Sequence, residues 1–478
     1  MDKCSLLLKR IMLGILLAVL GLTVALILRQ GLESLSYPAA MAAGLLWTAM
    51  LFLLLRKGEG KELPRALRSP WAPVLTAVLC LVVNLPWVLV VRTEPYSDYV
   101  VFWNTARALA EGTEIPAPWY IAEFPHLLGT SVVLSLLLRL FGSTLMAASG
   151  MNVVLSTLSC LPVYGITRRM ADEKTALLAE LLWAFYPCRI MLNSQVLSEP
   201  LYTFLVLLFL WWLLYLDTGA MERSGGAVRA LLRGAGLGLL LELIKIVRPV
   251  SPILIVALFI WLFLLRGRGE RWRDWLLLLA ALLVSYVLCG KLWDRAFEAI
   301  LGWAPASAPI YNVYVGFNEA TRGTWCPEDM DLLFACLEKS GSAAQAQMDL
   351  LPYLQERLHS GIDFPGLFAD KLQIFLGNDG LGAYAIRYDY DERLIRILML
   401  GCNVFYYGVV LASFAGLISL FRSRRLSAEQ MLPLYVLGLT LAHLLVEVNG
   451  RYHYSLSPIL IIFAALGLCS GKARRRTT

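Results

Sequence analysis

The chain has 478 residues, of which 58% are hydrophobic and only 16% are charged, and its formal net charge is +7. A soluble protein of this size needs more polar residues to cover its hydrophobic core. The composition therefore excludes an ordinary soluble protein and predicts a polytopic membrane protein. The basic residues occur in short clusters between hydrophobic segments. That pattern is typical of topology control and argues against a nucleic-acid partner.

Hydrophobic segments long enough to cross a bilayer as helices, which takes roughly 17–25 residues, recur along the whole chain. They predict an all-α integral membrane protein with about twelve transmembrane helices. No cleavage site of small residues follows the first segment, so we expect it to remain as a helix. The predicted spans are 11–29, 37–55, 71–91, 146–168, 174–190, 197–217, 231–247, 250–266, 274–291, 397–420, 430–447 and 453–470.

Clusters of Lys and Arg occupy every second loop between these spans. Because basic loops stay on the cytoplasmic side, we expect a multi-pass protein of the cell membrane with both termini cytoplasmic. The alternation requires that the apolar segment 126–141 does not cross the membrane, so we interpret it as an interfacial or re-entrant helix. The basic clusters lie at 56–68, 168–174, 223–233, 266–273, 422–425 and 472–476.

Two segments on the expected outer side are long enough to have their own structure. The first outer loop, 92–145, contains at 98–112 the pattern of an amphipathic interfacial helix. The second, 292–396, is a more polar extracytoplasmic region. The remaining units are two extra amino-terminal helices (1–70), a transmembrane core that includes the first outer loop (71–291), and closing helices with a basic cytoplasmic tail (397–478).

Motifs for metal or nucleotide chemistry are absent from the sequence. No Cys/His spacing resembles a zinc site, and no GxxxxGK[ST] loop occurs, which argues against ATP-driven transport. Cys326 and Cys336 both lie in the second outer region and could close a short disulfide.

Acidic and basic residues from four distant parts of the chain are expected at the same outer face. Ionisable groups at the membrane surface are costly to leave unpaired, so we interpret this set as a functional site. The set comprises Asp98 in the first outer loop, Glu199 at the start of the sixth span, Arg248 after the seventh span, and Glu447, Arg451, Tyr452 and His453 between the last two spans.

Four short motifs follow one another on that side of the membrane. They are Tyr96-Ser97-Asp98, Phe124-Pro125-His126, Leu197-Ser198-Glu199-Pro200 and Arg451-Tyr452. In this order, from about residue 71 to residue 470, the chain resembles the GT-C superfamily of membrane glycosyltransferases. Within it, the chain is most similar to bacterial glycosyltransferase family 39, whose relatives include dolichyl-phosphate-mannose protein mannosyltransferases and lipid A aminoarabinose transferases.

The resemblance implies an inverting transfer of a sugar from a polyprenyl-phosphate donor to an acceptor hydroxyl at the outer face. Such a transfer needs a base for the acceptor proton and cations for the phosphate that leaves. Asp98 is the candidate base, and Glu199 is the second acidic residue, which would orient the acceptor or hold a divalent cation. Arg248 and Arg451 are candidates to bind the phosphate through two hydrogen bonds each, and Lys245 is a weaker candidate.

The same resemblance makes Tyr96, His126 and Tyr452 candidates to contact the acceptor or the sugar. Two carboxylates are a sparse ligand set, so a divalent cation is an option and no metal site is predicted. Each residue also has a structural alternative. Ser97 or Asp98 could cap a helix, Glu199 could favour a helix dipole, and Arg248 and Arg451 could extend towards lipid headgroups, while the histidines, His126 and His453, could be interfacial polar groups.

Two other classes of function stay open. A transporter or flippase of lipid-linked sugars would place ionisable groups near mid-span and show repeated halves, which we do not find here. A non-catalytic scaffold would need no acid and base at one face. Within the same superfamily, transfer of a whole oligosaccharide is the nearer alternative. The expected partners are the polyprenyl-phosphate sugar, membrane lipids, and a protein, lipid or glycan acceptor.

Overall fold

The structure is a computed structural model, and it describes residues 3–30, 36–58, 65–217, 226–266 and 271–469. Throughout these ranges the regular secondary structure is helical and no strand occurs. The all-α class predicted from the sequence is therefore confirmed. The basic cluster at 472–476 lies outside the described residues, as does part of the cluster at 223–233.

The amino-terminal half begins with two long helices and continues with shorter ones. Its helices are α1 (Lys3–Gln30), α2 (Ser36–Lys57), α3 (Ala72–Val90), α4 (Asp98–Glu111), α5 (Pro118–Glu123), α6 (His126–Phe141), α7 (Leu145–Leu158), α8 (Cys160–Met170), α9 (Glu173–Ala184), α10 (Pro187–Leu192) and α11 (Glu199–Tyr215).

In the second half, long helices enclose a run of short ones. These helices are α12 (Ala227–Val247), α13 (Ser251–Ile260), α14 (Trp272–Leu301), α15 (Ile310–Gly316), α16 (Pro327–Ser340), α17 (Ala343–Asp349), α18 (Leu351–Leu358), α19 (Phe364–Leu376), α20 (Leu381–Tyr384), α21 (Glu392–Arg422), α22 (Met431–Leu445) and α23 (Ser457–Leu468). A π-helix, Trp261–Leu265, continues α13, and a 3₁₀ helix, Gly450–Leu456, precedes α23.

Several of these helices are long and apolar enough to span a bilayer, which fits the prediction of an all-helical membrane protein. Within the described ranges there are seven such segments: Lys3–Arg29, Ser36–Lys57, Ala72–Val90, Leu145–Met170, Trp272–Leu301, Glu392–Arg422 and Ala428–Leu445. The count of about twelve spans and the interfacial placement of α6 remain predictions.

Some predicted spans are interrupted in the structure. The predicted span 174–190 is divided into α9, which ends at Ala184, and α10, which begins at Pro187. Proline lacks an amide hydrogen and fits the first turn of a helix, so it favours a new helix over continuation of the old one. The predicted span 453–470 begins as 3₁₀ helix and becomes α-helical only at Ser457.

Glycines allow close helix contacts, as is common between membrane helices. A Cβ on Gly234 or Gly238 of α12 would lie 2.2 or 2.3 Å from a carbonyl oxygen of α14. In the same way, a Cβ on Gly129 of α6 would lie 2.0 Å from the carbonyl oxygen of Ile246. The start of α6, with His126, is thereby placed against the end of α12, where Arg248 follows.

The short helices between α14 and α21 lie against the segment that joins α22 to the 3₁₀ helix. The buried ammonium group of Lys371 donates to the carbonyl oxygens of Gly316, at 2.7 Å, and Val446, at 2.8 Å. The amide of Glu447 donates to the carbonyl of Asn312 at 2.7 Å. These bonds fix the position of Glu447 and of the residues that follow it.

The disulfide that Cys326 and Cys336 could close is not formed, because both are free thiols. Cys326 precedes the first turn of α16, whereas Cys336 lies within that helix. Ten residues of helix separate their positions by about 15 Å along the axis, and a disulfide needs Cα atoms within about 7 Å.

Candidate active site

Asp98 is the first residue of α4, and an unusual backbone conformation precedes it. Ser97 has φ 53° and ψ −136°, on the positive-φ side that residues with a Cβ rarely adopt. The Ser97 side chain makes no capping hydrogen bond, so capping does not explain the residue. Strained backbone of this kind is concentrated at functional sites. Here it directs the chain from the extended segment after α3 into α4.

Two carboxylates and two guanidinium groups meet at this point, and we call Asp98, Glu199, Arg248 and Arg451 the charge cluster. Arg451 Nη2 donates to Asp98 Oδ2. Glu199 Oε1 lies 3.7 Å from Arg451 Nε and 3.7 Å from Arg248 Nη1. The four formal charges cancel, which reduces the cost of burying them.

The members of the charge cluster differ in their access to solvent. The Asp98 side chain is 31% exposed, whereas that of Glu199 is 1% exposed. The side chains of Arg248 and Arg451 are 12% exposed. An incoming molecule can therefore reach Asp98 and part of both arginines, while Glu199 lies behind them.

Aromatic rings surround the two arginines. The Arg248 guanidinium lies 4.4 Å from the centre of the Tyr452 ring, and that of Arg451 lies 5.6 Å from it. The Tyr452 hydroxyl donates to Glu447 Oε1 at 3.0 Å. Tyr99, which the sequence analysis did not single out as a site residue, has its ring 5.3 Å from Arg451. Its position one residue after Asp98 was the available signal.

Burial and neighbouring charge set the ionisation of these groups. Burial raises the pKa of Asp98, but the Arg451 guanidinium outweighs this and leaves that pKa below its usual value. Burial, reinforced by Arg248, lowers the pKa of His126 to about 3, so its ring is neutral at physiological pH. Burial and the charge of Asp98 raise the pKa of Glu447.

Two of the predicted residues have ionic partners outside the charge cluster. The ion-pair partner of Lys245 among the described residues is Glu242, at 3.1 Å, and its ammonium group lies 5.6 Å from the Tyr286 ring centre. His453 Nε2 lies 3.1 Å from Asp379 Oδ1, and both side chains are buried. The role of Lys245 as a weaker phosphate-binding candidate remains a prediction, and His453 retains its structural interpretation.

Tyr96 lies beside the charge cluster and connects it to a residue that the sequence analysis missed. The Tyr96 and Tyr99 rings pack edge to face, with centres 5.2 Å apart. Arg387 Nη1 donates to the Tyr96 hydroxyl at 3.2 Å, and the guanidinium lies 3.9 and 4.0 Å from the ring centres of Tyr384 and Tyr388. The repeated tyrosines around Arg387 were a signal in the sequence.

Comparison with known proteins gives a match in fold and none in sequence. No family model matches the chain, and no curated protein matches it. The crystal structure of the Archaeoglobus fulgidus oligosaccharyltransferase in the apo form has a TM-score of 0.51 at 13% identity, covering 84% of this chain and 51% of that chain. The chain has the fold of the part of that enzyme that it covers.

A second structure of that archaeal enzyme, in complex with Zn and sulfate, has a TM-score of 0.50 at 13% identity and covers 83% of this chain. This chain spans about half the length of the oligosaccharyltransferase, 48% in that structure. At this level of identity the similarity concerns the fold alone. The shared fold agrees with the fold that the GT-C resemblance implies.

The charge cluster does not suit a divalent cation. Such ions prefer several oxygen ligands, and no group of three or more His, Cys, Asp or Glu side chains in the described residues could hold a metal. Both carboxylates already lie against Arg451, which bridges them. The Arg451 guanidinium thus supplies the positive charge between Asp98 and Glu199. The reaction proposed below therefore involves no metal ion.

Proposed function

We propose that the protein is an inverting glycosyltransferase that moves a sugar from a polyprenyl-phosphate donor to an acceptor hydroxyl at the outer face of the membrane. The observation that carries the proposal is the charge cluster, in which a partly exposed carboxylate adjoins two partly exposed arginines. The GT-C fold, shared with an oligosaccharyltransferase, supports the same class of reaction.

Arg248 and Arg451 bind the phosphate of the donor in this proposal. Guanidinium groups match phosphate geometry and stay charged at any physiological pH. Their partial exposure, 12% for each side chain, leaves hydrogen-bond donors available to an incoming anion. In the transition state they stabilise the charge that develops on the leaving polyprenyl phosphate.

Asp98 accepts the proton of the acceptor hydroxyl. In the free protein Arg451 neutralises it and weakens it as a base. A bound phosphate attracts Arg451, so the pKa of Asp98 rises when the donor is present. The hydroxyl oxygen then bonds to the anomeric carbon, and the bond from that carbon to the phosphate oxygen breaks. The phosphate leaves with the electron pair, and the configuration inverts.

Glu199 orients the two arginines rather than touching the substrates. It is 1% exposed and lies 3.7 Å from both guanidinium groups. Its single negative charge keeps two like charges close together. Tyr96, His126 and Tyr452 border the same space, and we assign them to contacts with the sugar or the acceptor.

Transfer of a whole oligosaccharide is the second candidate. It is favoured by the fold shared with the archaeal oligosaccharyltransferase. The two candidates differ in the donor that the enzyme accepts, so monosaccharide and oligosaccharide donors compared in one assay separate them.

The test measures transfer of radiolabelled sugar from polyprenyl-phosphate donors in membranes that contain the wild-type chain, Asp98→Asn or Arg248→Ala at matched expression. We expect Asp98→Asn to lower transfer by about 10²–10⁴-fold with donor binding retained, as removal of a general base does. Arg248→Ala should weaken donor binding as well. Asp331→Asn and Arg396→Ala, which change exposed residues of α16 and α21, are matched controls.

Unchanged transfer in both site variants would contradict the assignment of these residues. Absence of transfer from every donor would contradict the proposed reaction and favour a transporter or a scaffold.

A further inference from the structure

A groove lies between α8, α11 and α12, far from the charge cluster. Its larger part has a volume of about 560 Å³ and an apolar lining that includes Leu208, Trp212 and Leu240. An adjoining part of about 530 Å³ is lined by Tyr164, Arg168 and Arg169. Trp211 and Arg169 border both parts, so the two form one continuous surface.

Glycines shape this groove by allowing two tryptophans to approach neighbouring helices closely. A Cβ on Gly165 of α8 would lie 2.2 Å from the Trp211 indole nitrogen. A Cβ on Gly236 of α12 would lie 2.5 Å from the Trp212 ring. Contacts with α8 and α12 thus hold the two α11 indoles in place. The groove between these helices therefore has a defined shape.

The groove runs along the helices from a charged end into an apolar interior. Arg169, whose guanidinium lies 4.6 Å from the Tyr215 ring centre, and Arg168 mark the charged end. From Tyr215 to Leu208 the groove follows α11 for about 10 Å. On α12 its wall includes Leu239 and Leu243, which are 47% and 39% exposed.

The charged end is on the opposite side of the helix bundle from the charge cluster. Glu199 begins α11 and Tyr215 ends it, so they are about 24 Å apart along the axis. That separation approaches the hydrocarbon thickness of a bilayer, about 30 Å. Because α11 corresponds to the sixth predicted span, we expect the arginines of the groove near the headgroups of one leaflet and the charge cluster near those of the other.

We propose that this groove binds one anionic glycerophospholipid of the leaflet opposite the charge cluster. Its phosphate lies against Arg168 and Arg169, and one acyl chain lies along Trp211, Trp212 and Leu239. A guanidinium pair at headgroup depth complements a negative headgroup, and an apolar channel parallel to the helix axes complements an acyl chain. The donor lipid is a poorer fit, because its phosphate belongs at the other end of α11.

The test is native mass spectrometry of the full chain, released from nanodiscs that contain equal amounts of phosphatidylglycerol and phosphatidylcholine. We expect one phosphatidylglycerol to remain bound, with about a thirtyfold preference over phosphatidylcholine, since each arginine near a membrane surface contributes about a factor of five. The double variant Arg168→Gln/Arg169→Gln should lose this preference. Arg422→Gln/Arg424→Gln, which removes two exposed arginines from the end of α21, should keep it.

A second variant tests the apolar part and leaves both arginines in place. Leu239→Trp adds an indole at a partly exposed position, so it should fill the groove without disturbing the core and abolish retention of the lipid. The proposal would be overturned by retention of lipid in Leu239→Trp, by equal retention of the two lipids in the wild-type chain, or by a retained lipid that proves to be a polyprenyl phosphate.

Discussion

At the scale of single residues, a buried carboxylate organises the site. Glu199 has almost no contact with solvent, and its Oε1 lies equally far from two guanidinium groups. Burying two positive charges side by side is costly unless a negative charge accompanies them. Glu199 therefore determines whether Arg248 and Arg451 can lie together in the protein, and its loss affects the fold as well as the reaction.

Glu199→Gln retains the shape of the side chain and removes its charge. We expect the free energy of unfolding to fall by about 3 kcal/mol, because the variant leaves buried charge uncompensated. Transfer should fall as well, since the arginines lose their orientation. Denaturant unfolding in detergent micelles measures the first effect. Glu392→Gln, at an exposed ion pair with Arg396, is the control, and equal stability of the two variants would refute the prediction.

The position of Arg451 in the charge cluster leads to a prediction about metal dependence. Arg451 occupies the space between the two carboxylates that a divalent cation would need. Preincubation with EDTA should therefore leave the rate of sugar transfer unchanged. A loss of transfer that Mg²⁺ or Mn²⁺ restores would show that the two carboxylates bind a metal after Arg451 moves away.

At the scale of helices, a buried hydrogen bond from Gln347 to Glu123 is among the contacts that join the first loop to the region between α14 and α21. Glu123, the last residue of α5, accepts a hydrogen bond from Gln347 of α17 at 2.8 Å, and the Gln347 amide oxygen accepts one from the Tyr311 amide, also at 2.8 Å. Burial raises the pKa of Glu123 to about 7. Because its neutral form is favoured in the folded protein, this contact is sensitive to pH.

The sign of that dependence follows from the raised pKa. The stability that neutral Glu123 contributes is complete below its ordinary pKa of about 4.5 and is lost as pH rises through about 7. We expect the thermal midpoint of the wild-type chain to fall between pH 5 and pH 8 by more than that of Glu123→Gln. Glu338→Gln, which changes an exposed residue of α16, should behave as the wild type. Parallel curves for all three proteins would contradict this role.

At the scale of the whole molecule, the two amino-terminal helices are integral to the bundle. The Lys9 ammonium of α1 donates to the carbonyl oxygens of Ser423, at 2.9 Å, and Arg425, at 2.7 Å. Trp47 of α2 donates to the carbonyl of Val404 at 3.0 Å. Both contacts involve α21 or the residues just after it, and Asn403 of α21 accepts a bond from the Asp379 amide. The first helices thus support the helix that anchors the region after α19.

Gly408→Leu tests this support. A Cβ at Gly408 would lie 2.4 Å from the Trp47 ring, so a larger side chain displaces α2. We expect a loss of about 1–3 kcal/mol in unfolding free energy, as is typical of overpacking. Gly401→Leu is the matched control on the same helix, because a Cβ there meets no atom within 4 Å. Equal unfolding midpoints for the two variants would count against the role of α2.

The sequence by itself predicted the membrane class, the all-α fold and the GT-C resemblance. It also predicted that Asp98, Glu199, Arg248 and Arg451 share one face. This succeeded because each of these residues adjoins the end of an apolar segment, and a bilayer brings such ends to one of two surfaces. Composition and hydropathy indicate which residues lie at a membrane surface, even when it is not known which helices contact each other.

Only the tertiary structure decided the partners of these residues. It paired Arg451 with Asp98, and it placed Arg387 against Tyr96. It also left Cys326 and Cys336 apart. A side chain's partner depends on which helices pack together, and that packing depends on contacts between residues far apart in the chain, such as Gly129 against Ile246. Local patterns in a sequence contain no such information.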